Sequence, residues 1–294
     1  MGKKLNYMTE TYGYEVTLPN IKNLFVTEPG WTYIDVDLEQ ADAQVVAWEA
    51  DCQVLKDLFH DETKDFHSEN AFGFFEKIKG EVVGKYEVAL PGGKIMIKAE
   101  DRWRVPLKAG GHATNYRTTA PTLAGALNCS VGEAEDFIKT WFLLYPELKA
   151  WHERTEDEVY GRGYVENKFG FKRRFLGRIT HNTLAEAQAW VPQSTVGNVI
   201  NKGWTNIEKE INKKSSVTGP GFWRGRDVVS AAFQVHDSLV MKVRTCDLKS
   251  ILPEIRECML VEIPYDDPLV IGVGQPEISK LSYGRCKPVN WDMS

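Results

Sequence analysis

Two segments patterned as strands, Trp31 to Asp37 and Val228 to Val243, lie far apart in the 294-residue chain, and most of what separates them is patterned as helix. A chain so arranged is constrained to build one sheet from both of its ends around an inserted helical body. The first strand follows the turn signal Glu28-Pro29-Gly30 and alternates through Trp-Thr-Tyr-Ile-Asp-Val-Asp, a run rich in β-formers. The second centres on Val235-His236-Asp237 and reads as paired strands. Each carries an aspartate, Asp37 or Asp237, in an apolar setting, and burying a carboxylate there is costly unless it is paired, hydrogen-bonded or metal-bound. The two acids ask for one common explanation.

Between them, Ala41, Val45, Val46 and Trp48 predict a helix, and Val54, Leu55, Leu58 and Phe59 a second, with residues 63–77 helical as well. Lys85 to Lys98 alternates on either side of Pro91-Gly92-Gly93, a hairpin signal. Ser130-Val-Gly-Glu133 is a capping box opening a helix to about Leu144, and Pro146 permits another to about Gly161. A long helical pattern from Thr183 to Lys213 precedes a Gly-rich turn at Gly219 to Gly225; a helix near Leu248 to Val261 and a last strand near Leu269 to Val273 follow the paired strands. The expected fold is α+β, an antiparallel sheet flanked by helices with an inserted helical subdomain.

Composition, 43% hydrophobic and 26% charged, is ordinary for a globular protein. No apolar run reaches the length of a membrane span, and Met1-Gly-Lys-Lys-Leu lacks a secretory pattern, so a soluble, cytoplasmic protein with no membrane partner is expected. The five cysteines are odd in number and far apart, which predicts buried free thiols rather than disulfides or a zinc site. The net charge of −5 argues against gripping nucleic acid over the whole surface, yet Lys168, Lys172, Arg173, Arg174 and Arg178 form an acid-free basic patch. That patch suits a nucleic-acid channel; a solvated charged hairpin is the plainer alternative.

Arg104, Lys108, His112 and Tyr116 recur at every fourth residue, which on a helix makes a slowly winding stripe roughly 18 Å long. Arginine can fork two phosphate oxygens, lysine supplies a point charge, and the rings of His112 and Tyr116 can abut a base or sugar. Pro106 is expected in the first helical turn, and the pair Gly110-Gly111, about 1 kcal/mol each mid-helix, is expected where a ligand approaches closely. By spacing alone, a solvated basic face remains the alternative. Carboxylates at strand ends hold hard divalent cations, and a cationic stripe can hold a triphosphate, so phosphoryl transfer is the leading chemistry.

Taken together these segments resemble family A DNA polymerases. Asp37-Leu-Glu-Gln-Ala-Asp42 is similar to the first palm motif, Arg104-x3-Lys108-x3-His112-x3-Tyr116 to the fingers helix, Gln234-Val-His-Asp237 to the last palm motif, and Pro192-Gln193-Ser-Thr-Val to a template- and primer-contacting helix. Asp65-Phe-His67, and Phe142-Leu-Leu-Tyr-Pro146 followed by Gly163-Tyr-Val165, agree as well. The resemblance implies a palm at 1–63 and 183–294 with inserted fingers at 64–182. It implies that Asp37 and Asp237, with the carbonyl of Leu38, hold two Mg²⁺ ions, Mn²⁺ being an alternative. Arg104, Lys108 and His67 would meet the triphosphate, Lys108 also serving as proton donor to pyrophosphate. Tyr116, His112, Gln40 and Asp42 fall on the nucleotide side, with His236, Gln193, Lys172, Arg173 and Arg174 toward primer and template. Primed DNA and deoxynucleoside triphosphates are the implied partners, in phage or bacterial replication; for a phage protein the host cytoplasm is the location.

The departures matter too. Asp42 stands where the family usually has glutamate, His112 where it has phenylalanine or tyrosine, Arg117 where it has glycine, and Ser238 where glutamate often follows the last aspartate. Looser exclusion of ribonucleotides is expected from Asp42. The match begins near Pro19-Asn-Ile-Lys-Asn23, and Tyr14 follows Gly13 where the family has arginine. The resemblance therefore implies a thumbless, exonuclease-free piece, from a split gene or a truncation, working with a separate thumb or exonuclease subunit or another replisome protein. A single-subunit RNA polymerase shares the Arg-x3-Lys-x7-Tyr spacing, with Asp42 arguing against it. A non-catalytic palm that binds DNA or a partner, and a two-metal nuclease, are the further alternatives.

Overall fold

The computed structural model describes residues 20–213 and 228–293; the readings made at Gly13, Tyr14, Pro19 and the Gly219 to Gly225 turn lie outside the described residues. In chain order the elements are β1 (Trp31–Asp37), helices α1 (Ala41–Ala50), α2 (Gln53–His60) and α3 (Phe66–Ala71), a π-helical stretch Phe72–Ile78, and the hairpin β2 (Lys85–Ala89) and β3 (Ile95–Ala99). Helices α4 (Asp101–Asn115), α5 (Ala120–Leu127), α6 (Val131–Leu144) and α7 (Pro146–Arg162) follow, then β4 (Tyr164–Glu166), β5 (Lys172–Arg174) and the long helix α8 (His181–Ile207). The remainder comprises β6 (Val229–Val235), β7 (Ser238–Arg244), α9 (Leu248–Met259) and the short strands β8 (Glu262–Ile263), β9 (Leu269–Val270), β10 (Glu277–Ser279) and β11 (Lys287–Pro288). Among the described residues no helix is long and apolar enough to cross a membrane.

The main sheet has five strands in the order β11-β10-β1-β7-β6, with every neighbour antiparallel. Its alternation follows from β1: Thr32, Ile34 and Val36 are buried on one face beside Val243, Met241 and Leu239, while Tyr33, Asp35 and Asp37 turn to the other beside Lys242, Val240 and Ser238. The strand expected at Leu269 to Val273 is only two residues long. Its continuation crosses Leu38 as an isolated bridge to Val273, with Glu39 N–H on the Gly272 carbonyl at 2.9 Å and Gly274 N–H on the Asp37 carbonyl at 2.9 Å. A Cβ at Gly274 would lie 3.3 Å from the Asp37 carbonyl oxygen, a tight backbone approach that glycine eases. The ladder on that side of β1 belongs to β10 instead, a strand too short and polar to carry a period-2 signal.

Contacts divide the chain into two compact units. One comprises the described residues up to Glu39, Gly197–Ile263 and those from Val270 onward, and holds the main sheet with α9. The other comprises Gln40–Val196 and Pro264–Leu269. Helix α8 contributes residues to both, and the division at Glu39 and Val196 is distinct from the 63 and 182 limits of the expected palm and fingers.

In the second unit, Val159, Val165, Leu184, Ala187 and Val191 form a buried cluster, and Pro264–Leu269 is tied in by Trp48 Nε1 on the Asp267 carbonyl at 2.8 Å and Tyr265 OH on Glu49 at 2.7 Å. Helix α6 opens on the expected Ser130–Glu133 capping box. Helix α4 starts a turn earlier than Pro106 predicts: the N–H groups of Trp103 and Arg104 reach the Glu100 carbonyl at 2.9 and 3.1 Å, and Pro106 lies inside the helix. Proline forfeits one hydrogen bond there, a loss that a helix with Asp101 favourably placed in its first turn tolerates. All five cysteines are free as expected, but only Cys52 and Cys258 are buried and Cys246 is exposed.

Candidate active site

In the first unit the two aspartates converge. Asp37 ends β1 directly opposite Ser238 at the start of β7, and Asp237 occupies the tight turn between β6 and β7. Leu38 N–H donates to the Asp237 carbonyl at 3.1 Å, which locks the two main chains in register. The Asp237 carboxyl lies near enough to that of Asp37 to raise it. Burial first, then the charge and hydrogen bond of Asp237, with Asp35 and Glu277 beyond, push the Asp37 carboxyl up to about 7. Two carboxylates held this close resist ionising together unless a cation neutralises them, and oxygen donors of this kind suit a hard divalent ion. Among the described residues no group of three or more His, Cys, Asp or Glu is arranged to hold a metal. His236, exposed at φ +54°, forms the other half of the turn, and its carbonyl accepts from Gln234 Nε2 at 3.1 Å.

In the second unit Arg104, Lys108 and His112 lie on α4, and Tyr116 caps its C-terminus. Lys108 and His112 are exposed. Arg104 is already engaged: its Nε donates to Asp65 Oδ2 at 2.9 Å and Nη2 to Oδ1 at 3.3 Å. Asp65 also caps α3, accepting from Ser68 N–H at 2.9 Å and from the Ser68 hydroxyl at 2.7 Å. Burial would raise the Asp65 carboxyl, but Arg104 and these bonds outweigh it and hold it at about 2. His67, in the first turn of α3, is pulled down to about 4 by burial, then by the charges of Arg104 and Lys108, with Asp65 opposing. At neutral pH it is a neutral ring among cations.

At the far end of the stripe the His112 and Tyr116 rings meet edge-on, centroids 4.8 Å apart. The buried Tyr116 hydroxyl makes no well-formed hydrogen bond, and the charge beside it is Asp42, in the first turn of α1; burial and that carboxylate push the phenol up. Gln40, the residue before α1, is exposed in a left-handed conformation, φ +50°. The glycine pair has a different cause from the one expected: a Cβ at Gly110 would lie 2.5 Å from the Phe137 ring and one at Gly111 2.6 Å from the Trp141 ring. Both side chains are buried on α6, so the glycines admit a neighbouring helix rather than a ligand.

Lys172, Arg173 and Arg174 form exposed β5, paired with β4. Lys172 reaches Glu166 at 3.4 Å, Arg173 pairs with Glu186, and Lys172 and Arg174 lie 5.1 and 5.5 Å from the centre of the Tyr164 ring. Gln193 is exposed on α8. Reading the sequence missed Asp65 as the partner of Arg104, and Asp35 and Glu277 beside the acid pair. The signal for Asp35 was present, since residues two apart on a strand share a face.

A family model described as DNA polymerase family A matches residues 15–276. The thermostable DNA polymerase I of Thermus filiformis is 27% identical over 261 residues, covering 86% of this chain and 28% of that protein. The DNA polymerase of Escherichia phage T5 is 24% identical over 264 residues, covering 84% of this chain and 29% of its own. The chain thus spans under a third of the length of these curated relatives. Among solved structures, the POL domain of Pol1 from M. smegmatis, in complex with DNA primer-template and dNTP, is similar in fold with a TM-score of 0.66 at 21% identity, covering 93% of this chain and 42% of that one.

Proposed function

The chain belongs to DNA polymerase family A, and from that membership we propose that it carries the catalytic part of a template-directed DNA polymerase, moving nucleotidyl groups from deoxynucleoside triphosphates to a primer 3′-hydroxyl. The observation that carries this reading is the folding of Asp37 and Asp237, about 200 residues apart in sequence, onto one end of the β1–β7 pair, Asp37 opposite Ser238 and Leu38 N–H on the Asp237 carbonyl. Asp37, Asp237 and the Leu38 carbonyl would hold two divalent cations, Mg²⁺ or Mn²⁺. Bound there, such ions lower the pKa of an attacking hydroxyl and polarise a phosphoryl oxygen.

The protein's own side chains supply the rest. Asp65 holds two of Arg104's donor nitrogens, which fixes the guanidinium plane and leaves its Nη1 edge for triphosphate oxygens. Lys108, exposed one turn on, neutralises the phosphates and has a proton to give to departing pyrophosphate. His67, neutral at working pH, contributes a hydrogen bond rather than a charge. Tyr116 packs against the sugar and templating base with His112 at its edge, and Asp42 beside the Tyr116 hydroxyl, with Gln40, narrows the space for a 2′-hydroxyl. His236, Gln193, Lys172, Arg173 and Arg174 contact primer and template. In this reading residues 1–63 and 183–294 act as palm and 64–182 as fingers, in replication in a bacterial or phage-infected cytoplasm.

The test is extension of a primed DNA template by the purified chain with Mg²⁺, with and without a separately supplied thumb-bearing fragment, beside Asp237→Ala. Removing one carboxylate should lower extension by at least about a hundredfold, because it withdraws several kcal/mol of transition-state stabilisation. Wild-type protein that binds primed DNA yet never extends it would replace this reading with that of a non-catalytic DNA-binding palm.

A further inference from the structure

Asp35 stands two residues before Asp37 on β1, so the pleat turns both side chains to one face. On that face the register sets Ser238 directly opposite Asp37, with Val240 and Glu277 on either side of Asp35. Directly opposed residues on antiparallel strands hold their Cβ atoms about 4.5–5.5 Å apart, within reach of a serine hydroxyl for a facing carboxylate. The Ser238 hydroxyl nevertheless donates diagonally, to Asp35 Oδ1. Ser238 is buried, so its hydroxyl has few alternatives to one of the two acids. The neighbourhood of Asp35 is itself braced: the Lys22 ammonium donates to the Tyr283 hydroxyl at 3.0 Å, and Tyr283 packs with Tyr33 and Val240 on the same face.

We infer that Asp35 is a positioning residue for the acid pair: it draws the Ser238 hydroxyl away from Asp37, so that the Asp37 oxygens stay available to a divalent cation. This rests on the reading of Asp37 and Asp237 as the cation-binding pair. Without Asp35, the hydroxyl turns onto the carboxylate it directly faces, Asp37, and occupies one of the lone pairs that a cation would use. Deleting the hydroxyl should therefore cure the loss of the acid.

The experiment measures Mn²⁺ binding to the whole chain by the electron paramagnetic resonance signal of the free ion, with thermal unfolding on the same samples. Asp35→Ala should weaken binding about tenfold, about 1.4 kcal/mol. Ser238→Ala should bind as wild type, and Asp35→Ala with Ser238→Ala should regain most of the lost affinity. Asp35→Val, which keeps a strand-forming side chain, is the second deletion should the alanine variant fail to fold, and carries the same expectation. Wild-type affinity in the single deletion, or a double variant as weak as the single, overturns the inference. Mn²⁺ binding indifferent to Asp37→Asn overturns the underlying reading of the acid pair instead.

Discussion

Arg117 sits at φ +59°, a conformation that favours glycine and strains any residue with a Cβ by about 1–2 kcal/mol. What holds it there is its side chain: Nε donates to Gln188 Oε1 at 3.3 Å, Nη1 to Glu156 Oε2 at 3.1 Å, and Nη2 to the His152 carbonyl. The resemblance sets glycine at this position, and the backbone angle is the physical reason one is wanted. Here a guanidinium fork has taken over, binding the end of α4 to α7 and α8. Arg117→Gly relieves the strain but abandons these bonds and leaves buried Gln188 without its donor, so it should destabilise by about 2 kcal/mol. Arg117→Ala keeps the strain and loses the same bonds, which predicts a further loss of about 1 kcal/mol. Denaturant midpoints should therefore fall in the order arginine, glycine, alanine; a glycine variant as stable as wild type would mean the fork contributes nothing. Asp65 shows the limit of reading such partners in sequence, since nothing in the spacing between residues 65 and 104 marks a contact made only by folding.

Elements with a local cause were legible, and those defined by a neighbour were not. The strand Trp31–Asp37, the hairpin about Pro91-Gly92-Gly93 and the Ser130–Glu133 cap each carry their signal in adjacent residues. Strand β10 has three residues and owes its identity to β1, as Gly110 and Gly111 owe theirs to Phe137 and Trp141. The glycine pair yields a test at this scale, because helix propensity and packing pull in opposite directions. Alanine at position 111 gains about 1 kcal/mol of propensity, but its methyl would lie 2.6 Å from a Trp141 ring that is anchored through Nε1 to Asn115 at 2.9 Å and cannot easily give way. Overpacking of about 1–3 kcal/mol wins, so Gly111→Ala should lower the unfolding midpoint. Gly125, in α5, has nothing within 4 Å of the added methyl, and Gly125→Ala should stabilise by about 0.5–1 kcal/mol. If both substitutions stabilise, the close approach of α6 to α4 is not what demands glycine at 111.

At the scale of the whole molecule, the proposed function asks how a chain of net charge −5 would grip a polyanion. Attraction must come from local cations, and the counterions that each neutralised phosphate releases appear as a slope of binding against salt, about 0.9 per contact on duplex DNA. The basic β5 strand supplies three candidates of unequal worth. Arg173 is paired with Glu186 and Lys172 with Glu166, so a phosphate must first compete with a carboxylate for either one. Arg174 lies instead against the face of Tyr164, an aromatic partner that leaves its charge uncancelled. Arg174→Ser should therefore reduce the log–log salt slope for primed DNA by close to one contact, while Arg173→Ser reduces it by much less. Fluorescence anisotropy with a labelled primed template, titrated between about 50 and 200 mM salt, reads both slopes directly. The opposite order would mean that DNA breaks the Arg173–Glu186 pair on binding; unchanged slopes in both would put the electrostatic contact elsewhere on the chain.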